Sequence, residues 1–150
     1  MDQVISPLHF LRGLGMVGLT VIIQATTQIA LTHFLQAVPP PRGHGHLTHW
    51  GVAYVVAAVL ILVLGLIGEV VLWAVLYYWW GELGGFANSV YFSLACFTTI
   101  GAGDLALSPF HRIVGTTEAA VGMLMFGWST ALLFEVIQHT RGERALVVKR

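Results

Sequence analysis

The chain has 150 residues, of which 57% are hydrophobic and 9% charged. A soluble domain carries about 25% charged residues, so this composition excludes an ordinary water-soluble globule and points to an integral membrane protein. Seven basic and seven acidic side chains cancel, which offers no basic surface for nucleic acid, and a single cysteine, Cys96, permits no intrachain disulfide.

The opening Met1-Asp2-Gln3-Val4 has no basic run and no cleavage pattern after a short apolar core, so no removable signal peptide is expected. Residues 13–38 are mostly apolar but carry Thr20, Gln24, Gln28, Thr32 and Gln36 at four-residue spacing. That spacing lays an uncharged polar stripe along one helix face. A spanning helix uses such a stripe to hydrogen-bond a neighbouring helix. The alternative is a helix lying in the interface, whose polar face is normally charged; this stripe carries no charge, and we read residues 13–38 as a span.

Pro39 to His49 is a loop by its proline and glycine content. His44, His46 and His49 are a candidate transition-metal site, because imidazole suits zinc, nickel and copper. Loop histidines are more often free, and no cysteine or acid stands beside these three.

Residues 50–80 form an apolar helix longer than the ~20 residues a bilayer needs. Trp50 at one end and Tyr77, Tyr78, Trp79 and Trp80 at the other mark interfacial belts. Glu69 is the one acid within it, and an acid at that depth is costly. The expected role is structural: a protonated or hydrogen-bonded group fixing this helix against the inner or pore helix.

Gly81 to Gly85 is a turn, and Asn88-Ser89 offers caps for a helix ending near Phe97, too short to span. It reads as a re-entrant pore helix. Thr98-Thr99-Ile100-Gly101-Ala102-Gly103-Asp104 follows, then a return loop with Pro109. Irregular backbone at membrane depth survives only where it is buried or lines a water-filled cavity. Glycine tolerates the positive φ needed to turn successive carbonyls one way, and a row of carbonyls can replace the hydration shell of a monovalent cation. Residues 113–139 form the last span, with Glu118 near its outer end and Glu135 near its inner end, roughly 25 Å apart at 1.5 Å per residue. Arg141, Arg144, Lys149 and Arg150 follow. The basic tail and the Arg42-containing loop belong on the cytoplasmic side, which puts the N-terminus and residues 98–104 on the outer side.

The heptapeptide resembles the selectivity filter of tetrameric potassium channels, whose usual form is Thr-Val-Gly-Tyr-Gly-Asp. The helix, re-entrant loop and helix over residues 52–139 resemble the pore module of that family. Arg112 to Trp128 aligns without gaps to the family's inner helix. The Tyr-Phe-Ser-Leu pore-helix start and the Phe-Gly-Trp-Ser-Thr-Ala-Leu-Leu-Phe inner-helix end resemble a small bacterial group of potassium channel proteins.

The resemblance implies an all-α membrane fold and a homotetramer. Its organisation would be an extra N-terminal helix and histidine loop (1–49), a pore module (50–140; outer helix 50–80, pore helix and filter 87–105, inner helix 113–139) and a basic cytoplasmic tail (141–150). It implies ion binding at Thr99, Ile100, Gly101, Ala102 and Gly103, with the Thr99 hydroxyl at the innermost site. Asp104 would shape the outer mouth, Gly122 would be the gating hinge, Gly127 a close-packing position, and Glu135 would concentrate cations at the inner mouth unless it pairs with Arg141 or Arg144. Thr98, Glu118 and Tyr91 would support the filter.

The filter ion would be K+, or Na+ in a relaxed filter, with no organic cofactor. Partners would be further copies of the chain and the lipid bilayer, in a bacterial plasma membrane. Ala102 departs from the family, because it stands where an aromatic residue usually braces the filter. Losing a buried aromatic costs roughly 3–5 kcal/mol in soluble cores, although Tyr91 and Phe92 are placed to fill the space. A poorly selective Na+/K+ channel and a non-conducting accessory subunit therefore remain alternatives. No Ser-His-Asp, paired-carboxylate or His-Glu-x-x-His pattern supports an enzyme.

Overall fold

In the computed structural model, residues 7–38 and 49–148 are described. They form four helices and, among the described residues, no strand: α1 (Pro7–Ala37), α2 (His49–Trp80), α3 (Phe86–Phe97) and α4 (Arg112–Val148). Three contain stretches long and apolar enough to cross a membrane, Leu11–Ala37, Gly51–Trp80 and Arg112–His139. At 1.5 Å per residue the twelve-residue α3 extends about 18 Å, well short of a ~30 Å hydrocarbon core.

The first three positions of the polar stripe of α1, Thr20, Gln24 and Gln28, turn inward, whereas Thr32 donates to the Gln28 carbonyl of its own helix and Gln36 is exposed. Thr20 is buried, donates to the Met16 carbonyl and accepts a hydrogen bond from Trp73 Nε1 of α2 at 3.0 Å. Gln24 Nε2 donates to Ser129 Oγ of α4 at 3.0 Å, and Gln28 Oε1 accepts from Trp128 Nε1 at 3.2 Å. Thr27 packs on Gly65 of α2 so closely that a Cβ at Gly65 would overlap the threonine side chain. Small residues that let backbones approach, with side-chain hydrogen bonds across the seam, suit helix pairing in lipid, where the hydrophobic effect drives nothing together.

Two apolar clusters fill the space between helices. One holds Trp73, Tyr77, Phe92, Phe97, Val114 and Met125, with Ala102 and Leu105 packed on its edge. The other holds Leu31, Leu35, Tyr54, Ala58, Leu62, Leu132 and Val136. The first lies around α3, and the second ties the far halves of α1, α2 and α4 together.

Two boundaries differ from the sequence expectation. α3 starts at Phe86, with Gly85 as its N-cap and no side-chain cap. Asn88 and Ser89 are therefore inside the first turn: Asn88 Nδ2 donates to the Leu83 carbonyl and Ser89 Oγ to the Gly85 carbonyl. The glycine-rich turn, with positive φ at Gly81 and Gly84, lets the chain enter the helix two residues sooner. α4 also does not end at residue 139 but runs on to Val148, since Arg, Glu, Ala and Leu in that stretch favour helix.

Candidate functional site: the filter segment and its supports

The segment expected to form the filter, residues 98–104, begins where α3 ends. Thr98 caps the helix, its hydroxyl donating to the Leu94 carbonyl at 2.7 Å. Thr99 N–H donates to the Cys96 carbonyl at 2.8 Å, and Gly101 N–H reaches back to the Ala95 carbonyl at 3.0 Å. Thr99 has φ 62° and Gly101 has φ 81°. Among the described residues Thr99 is the only non-glycine at positive φ, a conformation costly for a β-branched side chain. Such strain clusters at ligand clamps, where the surroundings over-determine it.

Positive φ at alternate positions, Thr99 and Gly101, turns the peptide planes so that successive carbonyls can share one side. Thr99, Gly101, Gly103 and Asp104 are exposed in the single chain, and Ile100 is 82% exposed. The C-terminal end of α3 sits at the start of this segment, and the helix dipole places a partial negative charge there that favours a cation. Ala102 is half-buried against the cluster that contains Phe92. Phe92 is buried edge-on to Tyr77, whereas Tyr91 is 50% exposed on another face of α3. Of the two residues expected to stand behind Ala102, the structure brings Phe92 into that cluster and leaves Tyr91 at the surface of the chain.

Glu118 joins three helices, α2, α3 and α4. It is fully buried, accepts from Tyr77 Oη of α2 at 2.6 Å, and lies 2.5 Å from Ser93 Oγ of α3. Ser93 Oγ also lies 2.8 Å from the Val70 carbonyl. One hydroxyl proton cannot serve both acceptors, so the three contacts close most simply when the carboxyl contributes a proton of its own.

Gly122 lies directly against the end of α3. A Cβ there would overlap the Phe97 carbonyl oxygen and stand 2.9 Å from its carbonyl carbon. Gly127 differs: a Cβ there meets nothing within 4 Å in the same chain, so any close packing at this position involves something other than this chain. Glu135 is exposed toward the far end of α4. The alternative pairing with Arg141 or Arg144 lies outside the described side chains. His44 and His46 also lie outside the described residues, and His49 is exposed at the start of α2.

A second tie, absent from the sequence reading, holds the return loop. Glu82 in the α2–α3 turn accepts from Ser108 N at 2.8 Å, from Ser108 Oγ at 2.6 Å and from His111 Nδ1 at 2.5 Å. Trp80 stacks on the His111 ring at 3.9 Å. Burial alone would raise the Glu82 carboxyl, but the Ser108 and His111 hydrogen bonds outweigh it and hold it below its ordinary value. These residues are far apart in sequence, and only the carboxylate at a turn hinted that something would answer it.

No curated protein and no solved structure matches this sequence. A family model described as Ion channel matches residues 52–139, more than half of the chain, and those bounds take in α2 from its fourth residue, α3, the segment of residues 98–104 and α4 up to the point where its side chains cease to be described. The matched stretch holds two candidate spans flanking a short helix and an irregular loop, and the chain belongs to this ion channel family.

Proposed function

We propose that the protein is a homotetrameric potassium channel whose filter is the backbone of Thr99, Ile100, Gly101, Ala102 and Gly103. The observation that carries this reading is positive φ at alternate residues, Thr99 and Gly101, at the exposed end of a helix too short to span. One such strand cannot encircle an ion, so the site needs further copies of the chain. Ile100, Met123, Leu124 and Phe134 are apolar and exposed in the single chain, and neighbouring subunits or lipid would cover them.

In this assembly the Thr99 hydroxyl lines the innermost site, Asp104 shapes the outer mouth, and four copies of Glu135 raise the cation concentration at the inner mouth. Gly122 serves as the point where α4 bends to gate. The reading is passive transport rather than catalysis, in a bacterial plasma membrane with the N-terminus outside. Potassium ions are the cargo.

Ala102 supports a second reading, a poorly selective Na+/K+ channel, because a methyl group half-buried at the cluster edge braces the strand less than an aromatic ring would. The test is the reversal potential of the purified protein in liposomes under a potassium/sodium gradient, for wild type and Ala102→Tyr. Reversal near the potassium equilibrium value in wild type supports the first reading. Reversal near zero that moves toward potassium in Ala102→Tyr supports the second. No current from verified tetramers of either protein refutes both and favours an accessory subunit.

A further inference from the structure

Three oxygens in the middle of the bundle are buried and lack any hydrogen-bond partner: Gln24 Oε1 on α1, and Glu69 Oε1 and Oε2 on α2. Both side chains are fully buried. Each unanswered polar atom in a low-dielectric interior costs free energy, and an unpaired charge costs far more.

The register of the helices places these groups at one level. α1 and α2 run antiparallel, with Thr20 bonded to Trp73 and Thr27 packed on Gly65. Gln24 lies about midway between Thr20 and Thr27, and Glu69 midway between Gly65 and Trp73. On α4, Tyr77 to Glu118 fixes the register from one end, and the buried cluster that Ala58 and Leu62 share with Leu132 and Val136 fixes it from the other. Glu69 then falls level with Phe126, one turn from Ser129, the residue that Gln24 already grips.

Other titratable groups are remote. On α1, Arg12 and His33 lie twelve and nine residues from Gln24, roughly 18 and 13 Å along the axis. On α4, Glu118 and Glu135 lie eight and nine residues from the Phe126 level, roughly 12 and 13 Å, with Arg112 and His139 further out. On α2, Tyr77 belongs to the Glu118 cluster, Tyr78 lies beyond it, and Tyr54 is fifteen residues away. On α3, Ser93 bonds Glu118, Cys96 lies one turn beyond Ser93, and Tyr91 is half exposed. No described cation stands at this depth to answer a carboxylate.

We infer that Glu69 is a proton-binding site in the α1–α2–α4 junction, its carboxylic acid donating to Gln24 Oε1 while Gln24 Nε2 donates to Ser129. One proton answers Gln24 Oε1, removes the charge, and completes a polar chain across three helices. The role expected from sequence was to fix α2 against the inner or pore helix. The site adds α1, the helix outside the matched channel domain, to that junction and docks it onto the domain. It stands apart from the filter and does not rest on conduction. Raising the pH removes a proton that the folded state needs, so docking weakens as solution becomes alkaline.

The experiment is infrared spectroscopy of the full-length protein in liposomes, comparing wild type, Glu69→Gln and Gln24→Met. The expected result is a protonated-carboxyl stretch lost in Glu69→Gln and moved to higher frequency in Gln24→Met, where its acceptor is gone. A wild-type spectrum identical to that of Glu69→Gln overturns the proposal, because Glu69 is then ionised and the Gln24 carboxamide must be reversed to donate to it. Should Glu69→Gln fail to assemble, an unmoved band in Gln24→Met overturns it equally. A companion melting series from neutral to alkaline pH should show wild type losing several degrees more than Glu69→Gln; equal losses refute the docking role. The series is repeated with sodium, potassium or choline as the sole cation. A difference between the two proteins that disappears only in sodium or potassium assigns the site to a metal ion and overturns the proton.

Discussion

Replacing Gly122 by alanine places a methyl group where the backbone of Phe97 already lies. The added carbon would overlap the Phe97 carbonyl oxygen and stand 2.9 Å and 3.1 Å from its carbonyl carbon and Cα. All three are main-chain atoms at the last turn of α3, which cannot rotate away as a side chain would. Overpacking by a single carbon typically costs about 1–3 kcal/mol, and a rigid backbone partner argues for the upper end. Alanine in a helix interior recovers about 1 kcal/mol relative to glycine. The net is a destabilisation of about 2 kcal/mol, or roughly a 4–8 °C fall in melting temperature for a chain of this size. Relief comes by α4 moving off the end of α3, so the filter base shifts and conduction should fall with stability. Gly127→Ala is the control, because its Cβ meets nothing within the chain. The assays are thermal unfolding of the purified protein and current amplitude in liposomes. A Gly122→Ala protein as stable and conductive as wild type would refute the close contact and leave Gly122 with flexibility as its only role.

Tyr77→Phe should cost about 1–3 kcal/mol, because it strips a buried acceptor, Glu118 Oε2, of its donor; Glu118→Gln, which keeps an acceptor for Tyr77 and a donor for Ser93, should melt closer to wild type than Glu118→Ala. Gly65→Ala should destabilise the bundle by about 1–3 kcal/mol through its overlap with Thr27, and adding Thr27→Ala should recover much of that loss, a coupling that a double-mutant cycle measures. Glu82 is held below its ordinary value of 4.5, so its contribution is complete above that value and is lost as the pH falls through the lower folded value. Melting below pH ~4 should therefore fall more steeply in wild type than in Glu82→Gln, and parallel curves would show that the Ser108 and His111 bonds add nothing to stability.

Much of this architecture is local and was readable. The lengths of the apolar runs fixed three spans and one helix too short to span, since bilayer thickness sets a minimum that a twelve-residue helix cannot meet. The four-residue spacing of Thr20, Gln24 and Gln28 announced a polar face, and each of the three meets a partner on α2 or α4. The glycines of the filter segment announced an irregular backbone, although the strained φ at Thr99 was not legible, because a β-branched residue argues against it. The start of α3 was misplaced because Asn88 and Ser89 suit a cap as well as a first turn, and the glycines before them decided between the two.

What composition, hydropathy and spacing determine by themselves is which segments are apolar and long enough to lie in the membrane, in what order, and where regular backbone gives way to the glycine-rich segment after α3. Those are properties of a segment and its solvent. Which faces meet was decided only by the tertiary structure: Gly122 against the Phe97 carbonyl, Tyr77 and Ser93 on Glu118, Ser108 and His111 on Glu82, and Glu69 level with Gln24. The physical reason is that a helix face specifies what it needs — a small gap, a donor, a proton — without naming the distant residue that supplies it. The register of packed helices makes that choice.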